Sequence, residues 1–102
     1  MNDNRLVRDY ENPGLPIKER VPSLARRFSC LKNARGVSPW SSEAFHAWVI
    51  AQGEGTPAWH AGHLILNLAG IGPWARFDAI SAVSVWNDDD RTLFATWARS
   101  WR

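Results

Sequence analysis

From Ser23 onward the apolar positions recur at helical rather than strand spacing. Leu24, Phe28 and Leu31 fall at i, i+4 and i+7, which predicts a first helix over about 23–33, with Ser23 as N-cap and Gly36 as a stop. Phe45, Trp48 and Val49 share one face of a second helix over about 42–52, ended by Gly53-Glu54-Gly55. Thr56 then caps a third, with Pro57 at its first position and Gly70 after its last residue, near 69. Its apolar residues lie on two sides: Ala61, Leu64, Ile65 and Leu68 on one, Trp59, His63 and Leu66 on the other. Such a helix is central in its fold or shared with a partner.

A fourth helix is expected over about 73–86, because the unbroken stretch from Arg76 to Trp86 is long for a strand, although 81–86 alone would suit a buried one. Asp88-Asp89-Asp90 suit the N-terminus of a fifth, where carboxylates meet free N–H groups and the positive end of the dipole. Leu93, Phe94, Trp97 and Trp101 form its apolar stripe, with Arg99 and Arg102 near its C-terminal end. Pro22, Pro39, Pro57 and Pro73 each precede a helix-compatible run, as a residue without an N–H does best in a first turn.

Residues 1–21 lack such periodicity. Asn12-Pro13-Gly14 and Pro16 break regular structure there, so 1–21 reads as an N-terminal arm, extended or partly disordered, and 22–102 as a single helical domain. The expected fold is all-α: a compact bundle of about five short helices with an extended arm.

Composition narrows the class. The chain has 102 residues, 45% of them hydrophobic and 22% charged, which suits one globular domain and argues against disorder throughout. A single cysteine, Cys30, excludes an internal disulfide and fits a reducing compartment. With no apolar N-terminal stretch and no run long enough to cross a bilayer, the reading is a cytoplasmic protein with no membrane contact.

The net charge of +2 is unevenly distributed. Between Arg20 and Arg35 stand Arg20, Arg26, Arg27, Lys32 and Arg35, with no acid among them. This segment is the candidate electrostatic footprint for a protein partner or nucleic acid, and phosphate binding through it would be strongly salt-sensitive.

Seven tryptophans are the most unusual feature of the composition. Trp48, Trp86 and Trp97 are placed as core residues. Trp40, Trp59 and Trp74 stand at helix openings and Trp101 beside the last residue, which makes these four the candidate aromatic anchors for a partner. A stacking platform for single-stranded nucleic acid would need aromatics interleaved with basic residues, and here the two concentrate on opposite sides of residue 40.

Catalytic chemistry is poorly represented. His60 and His63, at i and i+3, are the start of a metal site, with His46, Glu54 and Asp78 as remote further ligands; the plainer alternative has one ring in solvent and one against Trp59. The segment Trp59-His60-Ala61-Gly62-His63-Leu64 resembles one helix of the DinB-like four-helix metal-binding family, over about ten residues. That family carries further histidines on a later helix and this chain has none after His63, so the resemblance assigns no residue. Arg26 and Arg27 stand near enough in sequence to lower the Cys30 pKa, but no histidine is near it, and the plainer reading is a simple packing or surface cysteine. A helix-turn-helix over the second and third helices fails because its recognition helix would lack Arg and Lys.

No catalytic residue, metal or cofactor is therefore expected. The leading expectation is a small protein-interaction module, an adaptor or inhibitor of a larger bacterial or viral machine. The alternatives are a nucleic-acid-binding accessory protein and a metal-dependent enzyme using His60 and His63. The two-sided third helix leaves a homodimer open.

Overall fold

The computed structural model describes residues 17–70 and 77–100, with the side chains of 20–70 and 77–99. Residues 1–16, Pro73, Trp74 and Trp101 lie outside the described residues, and with them most of the expected arm. Within the described residues there are five α-helices and no strand: α1 (Ile17–Arg27), α2 (Ser42–Ile50), α3 (Pro57–Leu68), α4 (Ala79–Val85) and α5 (Asp88–Ser100), with a 3-10 turn at Ser29–Leu31. The all-α expectation is met, and no described helix is long and apolar enough to cross a membrane.

The first helix departs most from the expected boundaries. It starts at Ile17, so Pro22 stands inside it and Ser23 is no cap. An interior proline forfeits a backbone hydrogen bond at a cost of about 3 kcal/mol. Burial of Val21, Leu24 and Ala25 on the same helix offsets this cost. The helix also ends early, because Phe28 turns extended (φ −69°, ψ 127°), and the 3-10 turn completes the run. The predicted stripe survives the break: Leu24, Phe28 and Leu31 are all buried.

The next two helices open at the expected Ser42 and Pro57, with Ser41 as a cap of α2 not expected from the sequence. Ser41 Oγ accepts from Ala44 N at 3.3 Å to cap α2, and Thr56 Oγ1 accepts from Trp59 N at 3.3 Å to cap α3. Burial of every residue from His60 to Leu66 makes α3 the central element, packed against α1, α2, α4 and the 3-10 turn. Its most extensive contact is with α2. A Cβ on Gly62 would drive into the Val49 side chain, so the bare glycine lets the two helices meet.

Further on, Phe77 and Asp78 are not helical, and α4 starts only at Ala79. Asp78 Oδ1 accepts from Ile80 N (3.1 Å) and Ser81 N (3.3 Å), an aspartate cap that the proline signal at 73 obscured. The helix continues to Val85, so 81–85 is not a strand. Trp86 is the hub beyond it. It is 1% exposed, its ring meets Phe28 at 5.0 Å and Phe94 at 5.6 Å, and its indole N–H donates to Pro57 O at 3.1 Å. A buried tryptophan needs that acceptor, and the first turn of α3 supplies it.

The acidic triplet divides its labour. Asn87 Oδ1 caps α5 by accepting from Asp90 N at 2.8 Å. Asp88 pairs with Arg91 at 3.0 Å on the surface. Asp90 turns inward at 2% exposure and accepts from Ser29 N (2.9 Å) and Ser29 Oγ (2.8 Å), tying α5 to the 3-10 turn.

Candidate functional site

The basic segment keeps four of its five charges at the surface. Arg26, Arg27, Lys32 and Arg35 are exposed. Arg20 corrects the expectation: at 4% exposure it is buried, because the helix begins before it and turns it inward, and its interactions are made within the fold. Among the described residues, none of the four exposed cations has an ion-pair or hydrogen-bond partner. They rise from the end of α1 and from the loop that follows the 3-10 turn.

That loop is held by Gly36. Its φ of +83° suits glycine, and a Cβ there would collide with the backbone of Phe45. Ser41 N donates to Gly36 O at 2.7 Å, which pins the loop against the start of α2. Two depressions result, with the loop as their common wall. One, of about 300 Å³, is lined by Arg26, Leu31, Lys32, Ala34, Val37 and Ser38. The other, of about 530 Å³, runs along α2 and is lined by Arg35, Ala44, Ala47, Trp48, Ala51 and Gln52. The consecutive residues Ala34 and Arg35 thus face different depressions.

Trp48 belongs to this second depression. It is half-buried rather than a core residue, because Phe45 and Val49 already fill the side of α2 that meets α3. Its ring stacks on that of Phe45 at 6.5 Å, and Phe45 contacts Trp40 at 5.3 Å. Gln52 Nε2 donates to Trp48 O at 2.9 Å. The aromatic wall is therefore backed by a buried ring rather than free to swing. Of the expected anchors, Trp40 and Trp59 are half-buried. Trp40 rests on the ring behind the groove, whereas Trp59 lies elsewhere, between its neighbours His60 and His63. Spacing alone did not separate Trp48 from the core. The available signal was the set of alanines at 44, 47 and 51, which leave the face beside it shallow.

The histidine pair is shielded. His60 and His63 are 6% and 5% exposed, so neither ring faces solvent as expected. Trp59 covers both, with ring centroids 5.1 Å from His60 and 4.1 Å from His63. His63 Nδ1 is 2.8 Å from Trp59 O. Burial pushes the His60 pKa below its ordinary value, opposed by the Asp78 carboxylate and assisted by His63. Among the described residues no third His, Cys, Asp or Glu completes a metal-holding group with them. Asp78, offered as a further ligand, has its oxygens engaged in capping α4.

Cys30 is half-buried, and its pKa moves away from that of an activated nucleophile. Its thiol is pushed up to about 12, first by burial and then by the charge and hydrogen bonding of Asp90. The thiol donates to Pro57 O at 3.5 Å, and the charge that acts on it is the Asp90 carboxylate rather than the arginines of α1. As for α3, a helix buried from His60 to Leu66 has no free face to lay in a nucleic-acid groove. No known protein family, curated protein or solved structure matches this chain.

Proposed function

We propose that the chain is a small helical protein-interaction module, an adaptor or inhibitor with no catalysis of its own. The observation that carries this reading is a groove walled by a half-buried tryptophan and lined by Arg35, with Arg26 and Lys32 lining the depression across the same loop and none of these exposed cations paired among the described residues. A rigid aromatic in a depression is what interface hot spots are made of, and a surrounding field of one sign raises the encounter rate with a partner of the other. The shielded histidines and a thiol whose pKa is pushed up by burial and Asp90 support a binding role over chemistry.

The test is affinity capture from lysate of the source organism, with and without nuclease, comparing the wild type with Arg35→Glu and Trp48→Ala. A stoichiometric protein that survives nuclease and is lost with both variants supports the reading. A second reading rests on the same cations: with no carboxylate between Arg20 and Arg35, they would equally receive phosphates. Material that disappears on nuclease treatment favours that alternative.

A further inference from the structure

Building on the interaction-module reading, we infer that the groove along α2 receives an acidic amphipathic helix of the partner, its apolar side chains beside Trp48 and its carboxylates on Arg35, Arg26 and Lys32. Shape supports a helix. The groove of about 530 Å³ is long enough to have its lining spread over Ala44, Ala47 and Ala51, two turns of α2. Methyl groups at these positions let a second helix axis approach to about 8 Å, the near end of the usual 8–10 Å range, and Trp48 supplies a large surface at its side. Side chains at i, i+3 or i+4, and i+7 of the incoming helix match that length.

Charge supports an acidic one. Arg35 lines the groove itself, and Arg26 and Lys32 line the neighbouring depression across the same loop. Against them the described surface of α2 sets one carboxylate, Glu43. Among the described residues these cations make no pairs of their own, so a partner's carboxylates displace only water from them. Nucleic acid fits the groove less well. Its lining offers one cation, whereas a phosphate backbone needs charge along its track.

The experiment is selection of helical peptides from a display library with apolar residues fixed at i, i+3/i+4 and i+7 and all other positions randomised, using the full chain as bait. The expected pool carries net negative charge and binds more weakly as salt shortens the Debye length from about 30 Å at 0.01 M to about 8 Å at 0.15 M. Binding to Arg35→Glu falls by about tenfold or more. Binding to Ala47→Trp, which fills the groove from an exposed position, is lost while the thermal melt stays unchanged. If that variant is unstable, Ala51→Glu, also at an exposed position, takes its place. A neutral or basic pool, no enrichment, or indifference to both groove and charge variants overturns the inference. A captured protein partner that still binds Ala47→Trp leaves the interaction-module reading standing and removes only the acidic-helix site; loss of every protein partner, with oligonucleotide binding, removes both.

Discussion

Replacing Asp90 by alanine removes the carboxylate that joins the start of α5 to the 3-10 turn. Two hydrogen bonds go with it, from Ser29 N at 2.9 Å and Ser29 Oγ at 2.8 Å, and Asp90 itself is only 2% exposed while Ser29 reaches the surface. Bonds to a charged group contribute about 1.5–3 kcal/mol each. Both end on one carboxylate, so they are not independent, and the expected loss is about 3 kcal/mol in a urea titration followed by circular dichroism. For a domain of this size that corresponds to a fall in Tm of about 12–24 °C. Asp90→Asn retains one acceptor and loses about half as much. Ser29→Ala combined with Asp90→Ala is less destabilising than the sum of the two single changes, with a coupling of about 1–2 kcal/mol. A second readout is chemical: removing the carboxylate lowers the Cys30 pKa, so the folded variant alkylates faster than the folded wild type. The control is Asp89→Ala, at an exposed position of the same turn. If Asp90→Ala costs no more than that control, the network does not hold α5 in place and the reasoning fails.

Three further outcomes are expected. Gly62→Ala overpacks the α2–α3 contact and costs about 1–3 kcal/mol by chemical denaturation; adding Val49→Ala restores part of the loss, and an additive double mutant would refute the contact. His60 has a folded pKa below its ordinary 6.5, so the unfolded chain takes up the proton first and stability falls as pH drops through and below 6.5. Asp78, held below 3.8 by its bonds to Ser81, contributes only at lower pH, so Tm measured from pH 7.5 to 5 leaves it out, and the flatter decline of His60→Gln against wild type singles out His60. Cys30, with its thiol near 12, reacts slowly with iodoacetamide at pH 8 in the native protein and at the rate of a free thiol in urea; equal rates would contradict its burial.

The legible part of the fold was whatever local chemistry decides. Thr56 caps α3 where a short hydroxyl precedes an apolar run, Pro57 opens it, and Gly70 closes it at φ +72°, whereas the Ser41 cap of α2 went unread. The two-sided apolar pattern of α3 correctly marked a central helix. What misled was proline read as punctuation. Pro22 sits inside α1 because tertiary burial outweighs one missing hydrogen bond, and the start of α4 belongs to Asp78, five residues after Pro73. The acidic triplet looked like three equivalent capping groups, yet Asn87 does the capping, and the long-range bonds of Asp90 to Ser29, 61 residues away, leave no local trace.

The candidate site was legible as charge and illegible as shape. Composition alone located four exposed cations, because a run without acids has no way to neutralise itself locally. It also included Arg20, since nothing in the run distinguishes the one arginine that the helix turns inward. The groove depends on a chain of events no periodicity encodes: Phe28 breaks α1, Gly36 brings the loop onto the backbone of Phe45, and the face of α2 left over carries alanines beside Trp48. Gly36 is therefore the residue on which fold and proposed function meet. A substitution there strains a φ of +83° and displaces Arg35 from the groove wall at once. A variant that lost peptide binding while keeping its melting temperature would have to act elsewhere, at Arg35 or Ala47. That separation of binding loss from stability loss distinguishes a surface built to hold a partner from one that merely lies beside a structural loop.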